Sequence, residues 1–130
     1  MRKLLLLLLC IVVLTGCQGK PLPEGMEEET VLDAGREVVI SLVRGEYDAV
    51  AEAFREDISV TGDQLRTLLE TAAAKAGAYK EIDDAMATGR ESDGEDFAVA
   101  VVLAKYEKRR VLFEVAFDPD MALIGLRIEK

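Results

Sequence analysis

The chain opens with Met1-Arg2-Lys3, runs through an unbroken apolar stretch from Leu4 to Leu14, and reaches Thr15-Gly16-Cys17. This opening decides which residues are left to fold. The apolar stretch is too short to cross a bilayer, which takes about 20 residues. A basic start, a short apolar run and small residues at its end form the pattern of a cleaved export signal. Residues 1–16 are therefore expected to leave, and the fold must be built from the rest of the chain.

Leu14-Thr15-Gly16-Cys17 resembles the lipobox of bacterial lipoproteins. The resemblance implies cleavage between Gly16 and Cys17 and lipidation of Cys17. It places the protein on the cell membrane or outer membrane, facing away from the cytoplasm. Cys10 would leave with the leader and the sulfur of Cys17 would be committed to a thioether, so the mature chain would hold no free thiol and no disulfide. Its stability must then come from the core alone. Each buried methylene is worth about 0.8 kcal/mol, and two acyl chains give lasting attachment where one binds reversibly. Losing residues 1–16 removes Arg2 and Lys3 and no acid, so the net charge of −9 becomes −11. Such a chain is repelled by anionic headgroups and by nucleic acid, and no basic patch with interleaved aromatics suggests otherwise.

Residues 17–29 read as the lipidated cysteine and a flexible tether with Gly19, Pro21, Pro23 and Gly25, closing on Glu27-Glu28-Glu29. Residues 30–130 read as one domain of ordinary size. Thr30 is the expected cap of a first helix, with Asp33 three residues on, and Gly45 its stop. Tyr47, Val50, Ala51 and Phe54 mark a short second helix. Thr61 and Gln64 form a capping box for a third, with Leu65, Leu68, Leu69, Ala72 and Ala76 as its apolar stripe and Gly77 as its stop.

Beyond Gly77 the period turns to alternation. Strands are expected over 82–90, with a bulge near Asp83-Asp84, and over 97–106, 110–117 and 121–128. They are separated by Ser92-Asp93-Gly94, Glu107-Lys108-Arg109 and Asp118-Pro119-Asp120. The fold class is α+β: three N-terminal helices packed on a curved four-stranded antiparallel meander.

Phe97, Val99, Val101 and Leu103, with Val111, Phe113, Val115, Phe117, Ile124, Leu126 and Ile128, are expected to face the helices because they are large. The opposite face would hold Ala98, Ala100, Val102, Ala104 and Tyr106, then Leu112, Glu114 and Ala116, then Leu123, Gly125 and Arg127. That face is small and apolar, with Glu114 and Arg127 able to pair across strands. It is the candidate interaction face, for a second copy, for a partner protein or for a small apolar ligand.

Arg44-Gly45-Glu46-Tyr47-Asp48-Ala49-Val50, Gly77-Ala78-Tyr79-Lys80-Glu81-Ile82, Asp118-Pro119-Asp120 and Ile124-Gly125-Leu126 add a second likeness. With the leader, they make the chain similar to bacterial lipoproteins carrying a small domain of unknown function. That domain resembles the nuclear-transport-factor-2-like superfamily of cone-shaped α+β folds. The resemblance implies a cone-like shape, pairing through the sheet, and a pocket whose use varies from none to isomerase or dehydratase.

The residues offer little chemistry. The chain has no His, and with Cys17 blocked a zinc or copper site would have carboxylates alone. Ser41, Ser59 and Ser92 have no evident base, and no phosphate-binding loop is present. A carboxylate-based isomerase or dehydratase would draw on Asp83, Asp84, Glu114, Tyr79 and Tyr106. Residues 91–96 are acidic but lack the spacing of a helical calcium loop and read as a solvated hairpin tip. No cofactor and no metal is expected. The reading is a membrane-tethered, non-catalytic binding or interaction module, with the small cone-pocket enzyme as the alternative.

Overall fold

The computed structural model describes residues 20–130. The leader, the cleavage site and Cys17 lie outside the described residues. Three helices come first: α1 (Glu28–Val43), α2 (Tyr47–Glu52) and α3 (Gly62–Ala72). Four strands follow: β1 (Tyr79–Ser92), β2 (Glu95–Tyr106), β3 (Arg110–Phe117) and β4 (Leu123–Glu129). They form one antiparallel sheet in the order β1-β2-β3-β4. This is the expected α+β meander.

The local signals act where the residues place them. Gly45 follows α1 with φ 81°, and its N–H and that of Glu46 donate to the Leu42 and Ser41 carbonyls, closing the helix in a Schellman motif. Thr61 Oγ1 accepts from the Gln64 N–H at 3.2 Å, while Gln64 Oε1 accepts from the Thr61 N–H at 3.0 Å. The capping box is complete. Asp93 and Gly94 both have positive φ, which gives the β1–β2 hairpin a two-residue turn matched to strand twist. The bulge appears between Ile82 and Asp84, with a further irregularity between Tyr79 and Glu81.

One helix start differs. α1 begins at Glu28 with Glu27 as cap and no side-chain cap bond, so Thr30 lies inside the first turn. Glu28 and Glu29 in that turn suit the positive end of the helix dipole, which stands in for a hydroxyl cap.

The larger correction concerns the sheet faces. Ala98, Ala100, Val102 and Ala104 are fully buried and Tyr106 nearly so; all five belong to the core. Ala98, Ala100, Val102 and Ala104 pair with Phe117, Val115, Phe113 and Val111 on β3, so the two sets share the helix-facing side. The cause is one residue of loop. A three-residue turn at Glu107–Arg109 would have set Tyr106 opposite Arg110. Instead the Tyr106 N–H donates to the Arg109 carbonyl at 2.9 Å, leaving Glu107 and Lys108 as a two-residue turn. Changing loop length by one reverses which side chains share a face. Small residues suit this face because α1 crosses β2 there at Gly35: a Cβ on Gly35 would collide with the Ala100 methyl. Glycine on the helix and alanine on the strand let the two backbones approach closely. On β4, Leu123 is likewise buried in the core opposite Phe117, just before a bulge.

The N-terminal segment also belongs to the packed body. Leu22 and Met26 pack on the core, and Lys20 bridges to Gly89 on the free edge of β1.

Candidate functional site

The corrected register brings a different set of residues to the outer sheet face. From β1 come Met86, Thr88 and Arg90. β2 supplies Phe97, Val99, Val101 and Leu103, and β3 supplies Leu112, Glu114 and Ala116; Gly125 and Arg127 follow on β4. Its apolar side chains lie outside the core cluster beneath the helices, although Val99 at the centre of the face is itself buried and Phe97, Val101, Leu103 and Leu112 are half-buried. Met86 is 54% exposed. Of the residues assigned from sequence to an interaction face, Leu112, Glu114 and Arg127 are here, while Ala98, Ala100, Val102, Ala104 and Tyr106 lie beneath the helices.

Among the described residues, most charges on this face are paired, with Lys105 the exception. Arg90 Nη1 donates to Glu114 Oε2 at 2.8 Å across the sheet, and Arg110 Nε donates to Asp83 Oδ2 at 2.7 Å. Glu114 and Arg127 sit opposite each other in register, but Arg127 pairs with Glu129 instead. The outcome is an apolar centre with neutralised ion pairs around it, on a chain whose net charge is −9.

A second feature is a groove between α3 and the edge strand β4. At one end a cavity of about 760 Å³ is lined by Gln64, Thr67, Leu68 and Thr71 on one wall and Ile128 and Glu129 on the other. Gln64 and Leu68 also line an adjoining cavity of about 330 Å³ that reaches Phe54, Ile58 and Leu126. The start of β4 is covered, since Leu123 bridges Phe54 in parallel and its carbonyl accepts from the Arg55 N–H at 2.8 Å. Among the described residues, the rest of the β4 edge has no strand beside it.

Arg55 is the third feature, and sequence reasoning passed over it. Its guanidinium donates to Asp57 (2.7 and 3.2 Å), Glu95 (2.8 Å) and Asp118 (3.3 Å). It thereby joins the α2–α3 loop to the β1–β2 hairpin and the β3–β4 turn. Hydrogen bonds from Arg55 hold the Asp57 carboxyl below its usual range. Asp118 is buried and its Oδ1 accepts from the Asp120 and Ala122 N–H groups, so this cluster fastens the turn. No local pattern announces it, because its members are scattered from 55 to 118 in sequence.

The residues considered for acid–base chemistry are not brought together. Asp83 is taken by Arg110 and Glu114 by Arg90, and Asp84 Oδ1 accepts from the Ala85 N–H. Tyr79 and Tyr106 meet edge-on with centroids 5.7 Å apart. Burial, the larger cause, raises the pKa of both phenols, helped by the charge of Glu81 at Tyr79. None of the five lines the α3–β4 groove. Among the described residues no cluster of metal-ligating side chains is present, and no helix is long and apolar enough to cross a membrane.

No curated protein matches the chain. A solved structure with a similar fold is the NMR structure of a protein from Ruminococcus gnavus ATCC 29149. It is 27% identical, with a TM-score of 0.68 covering 82% of this chain and 95% of that one. The family described as "Protein of unknown function (DUF3887)" matches residues 35–126, from the α1–β2 crossing to β4, and the chain belongs to that family.

Proposed function

We propose that the protein is an extracytoplasmic lipoprotein, cleaved between Gly16 and Cys17 and acylated on Cys17, and that its domain is a non-catalytic interaction module. Its binding surface is the outer sheet face, and its occupant is a second copy of the chain. The observation that carries this reading is the run of apolar side chains across that face, from the exposed Met86 over the half-buried Val101 and Leu103 to Leu112, outside the core beneath the helices. Apolar surface gathered in one place on a sheet marks an association site. Charge favours self-association there. Two acidic domains repel in general, but on this face Glu114 and Asp83 are neutralised by Arg90 and Arg110, and Lys105 adds a positive charge. The likeness to the nuclear-transport-factor-2-like superfamily supports pairing through the sheet.

Light scattering of residues 18–130 tests the reading. A dimer that Val101→Glu converts to a folded monomer is expected. A strict monomer at all concentrations contradicts it.

The α3–β4 groove favours a second reading, in which the module takes an extended apolar segment. An open strand edge beside a helix is a known geometry for adding a peptide strand. Chemical-shift changes confined to Leu68, Thr71 and Ile128 on adding a partner would select it over the outer face.

A further inference from the structure

The chain is fastened to the domain at Lys20. The Gly89 N–H donates to the Lys20 carbonyl at 2.9 Å, and the two residues form an antiparallel bridge on the β1 edge. The next residue seals the contact: a Cβ on Gly89 would run into the Pro21 carbonyl. Lys20 Nζ also lies 3.8 Å from Glu91. Leu22 and Met26 then pack on the core. Little of the expected tether is left free, since Lys20 stands three positions after Cys17. Three residues reach at most about 10 Å.

The antiparallel sense of the bridge also gives a direction. The N-terminal side of Lys20 faces the Arg90–Glu91 end of β1, which is the end of the β1–β2 hairpin. We propose that the domain sits directly on the membrane, with the hairpin end of the sheet against the lipid headgroups and the opposite end, at Glu107–Lys108, turned away. This rests on the lipoprotein reading above and deepens it. The partner surface is a lipid bilayer. The seating is enforced by the covalent anchor and the strap, not by charge, because the hairpin carries Glu91, Asp93, Glu95 and Asp96. In this pose the strands stand across the membrane plane and the outer sheet face looks sideways, toward a neighbour anchored in the same leaflet.

The mature chain has no reactive thiol on this reading, so single cysteines can carry a fluorophore. Ser92→Cys marks the hairpin end and Lys108→Cys the far end; β2 between them is about 35 Å long at the rise of an extended strand. The acylated protein is placed in phosphatidylcholine vesicles carrying a quencher on the headgroup. Strong quenching at residue 92 and little at 108 is expected. Inserting eight Gly/Ser residues between Gly19 and Lys20 leaves the strap intact and should lower quenching at 92 toward the value at 108. Gly89→Val, which breaks the strap, should do the same. An acylated, vesicle-bound protein quenched equally at both positions overturns the seating alone. A chain that carries no acyl group by mass and stays out of the vesicles overturns the anchor, and the seating with it.

Discussion

The crossing of α1 over β2 gives the sharpest test of the fold. Gly35→Ala brings two opposing effects. Replacing glycine inside a helix gains about 1 kcal/mol from backbone propensity. The new Cβ, however, collides with the Ala100 methyl in a fully buried layer. Overpacking of this kind costs about 1–3 kcal/mol, so the single variant should be destabilised by about 1 kcal/mol. Ala100→Gly removes one buried methyl, worth about 0.8 kcal/mol, and adds strand flexibility of similar cost. Combined, the two changes move one methyl across the interface. The collision vanishes, the helix gain remains, and Gly35→Ala should now stabilise. The cycle should therefore show a coupling of about 2–3 kcal/mol, near the top of what neighbouring residues give. Urea unfolding of residues 18–130, followed by circular dichroism, measures all four corners. Additivity within about 0.5 kcal/mol would mean that Gly35 and Ala100 do not meet, and would refute the assignment of the small-residue face to the core.

Three further outcomes rest on the side-chain geometry. Thr61→Ala removes one half of the capping box and should cost about 1 kcal/mol in the same urea assay. Arg55→Gln should make the β1–β2 hairpin and the β3–β4 turn exchange amide protons faster; Asp57, whose lowered pKa stabilises the fold above its usual value of 3.8, should then lose its part in the acid limb, so stability falls less steeply as pH drops through that range. Burial raises Tyr79 and Tyr106 above 10.0, so the neutral phenols contribute their full stability below 10.0, and that contribution is lost as pH rises from 10.0 through their folded values. Absorbance at 295 nm should show their ionisation later in the folded protein than in urea.

The elements were legible in the sequence wherever a local signal fixes them. Thr61 with Gln64, Gly45 after the first helix, Asp93-Gly94 between strands and the bulge at Asp83-Asp84 each act within a few residues. The faces were not legible in the same way. Which side of β2 meets the helices depends on whether the β2–β3 turn has two residues or three, and Glu107-Lys108-Arg109 does not reveal that. The turn length is fixed by distant contacts: the Glu107 N–H donates to the Ala78 carbonyl and the Lys108 N–H to the Ala76 carbonyl. The size rule also misled, because Gly35 makes room for alanines where large side chains were expected. Of the candidate site, Leu112, Glu114 and Arg127 keep their place on the outer face. The Arg55 cluster and the Lys20–Gly89 strap went unseen because each joins residues dozens of positions apart.

Carbene footprinting of the acylated protein on vesicles tests most directly whether the outer sheet face is its contact surface. At low surface density, label should enter Met86, Leu103 and Leu112 and leave Ala98, Ala100 and Ala104 untouched. As density rises, Met86 and Leu103 should become protected while exposed residues of α1 such as Glu37 keep their labelling. Labelling of Met86 and Leu103 that stays constant across all densities would contradict the account.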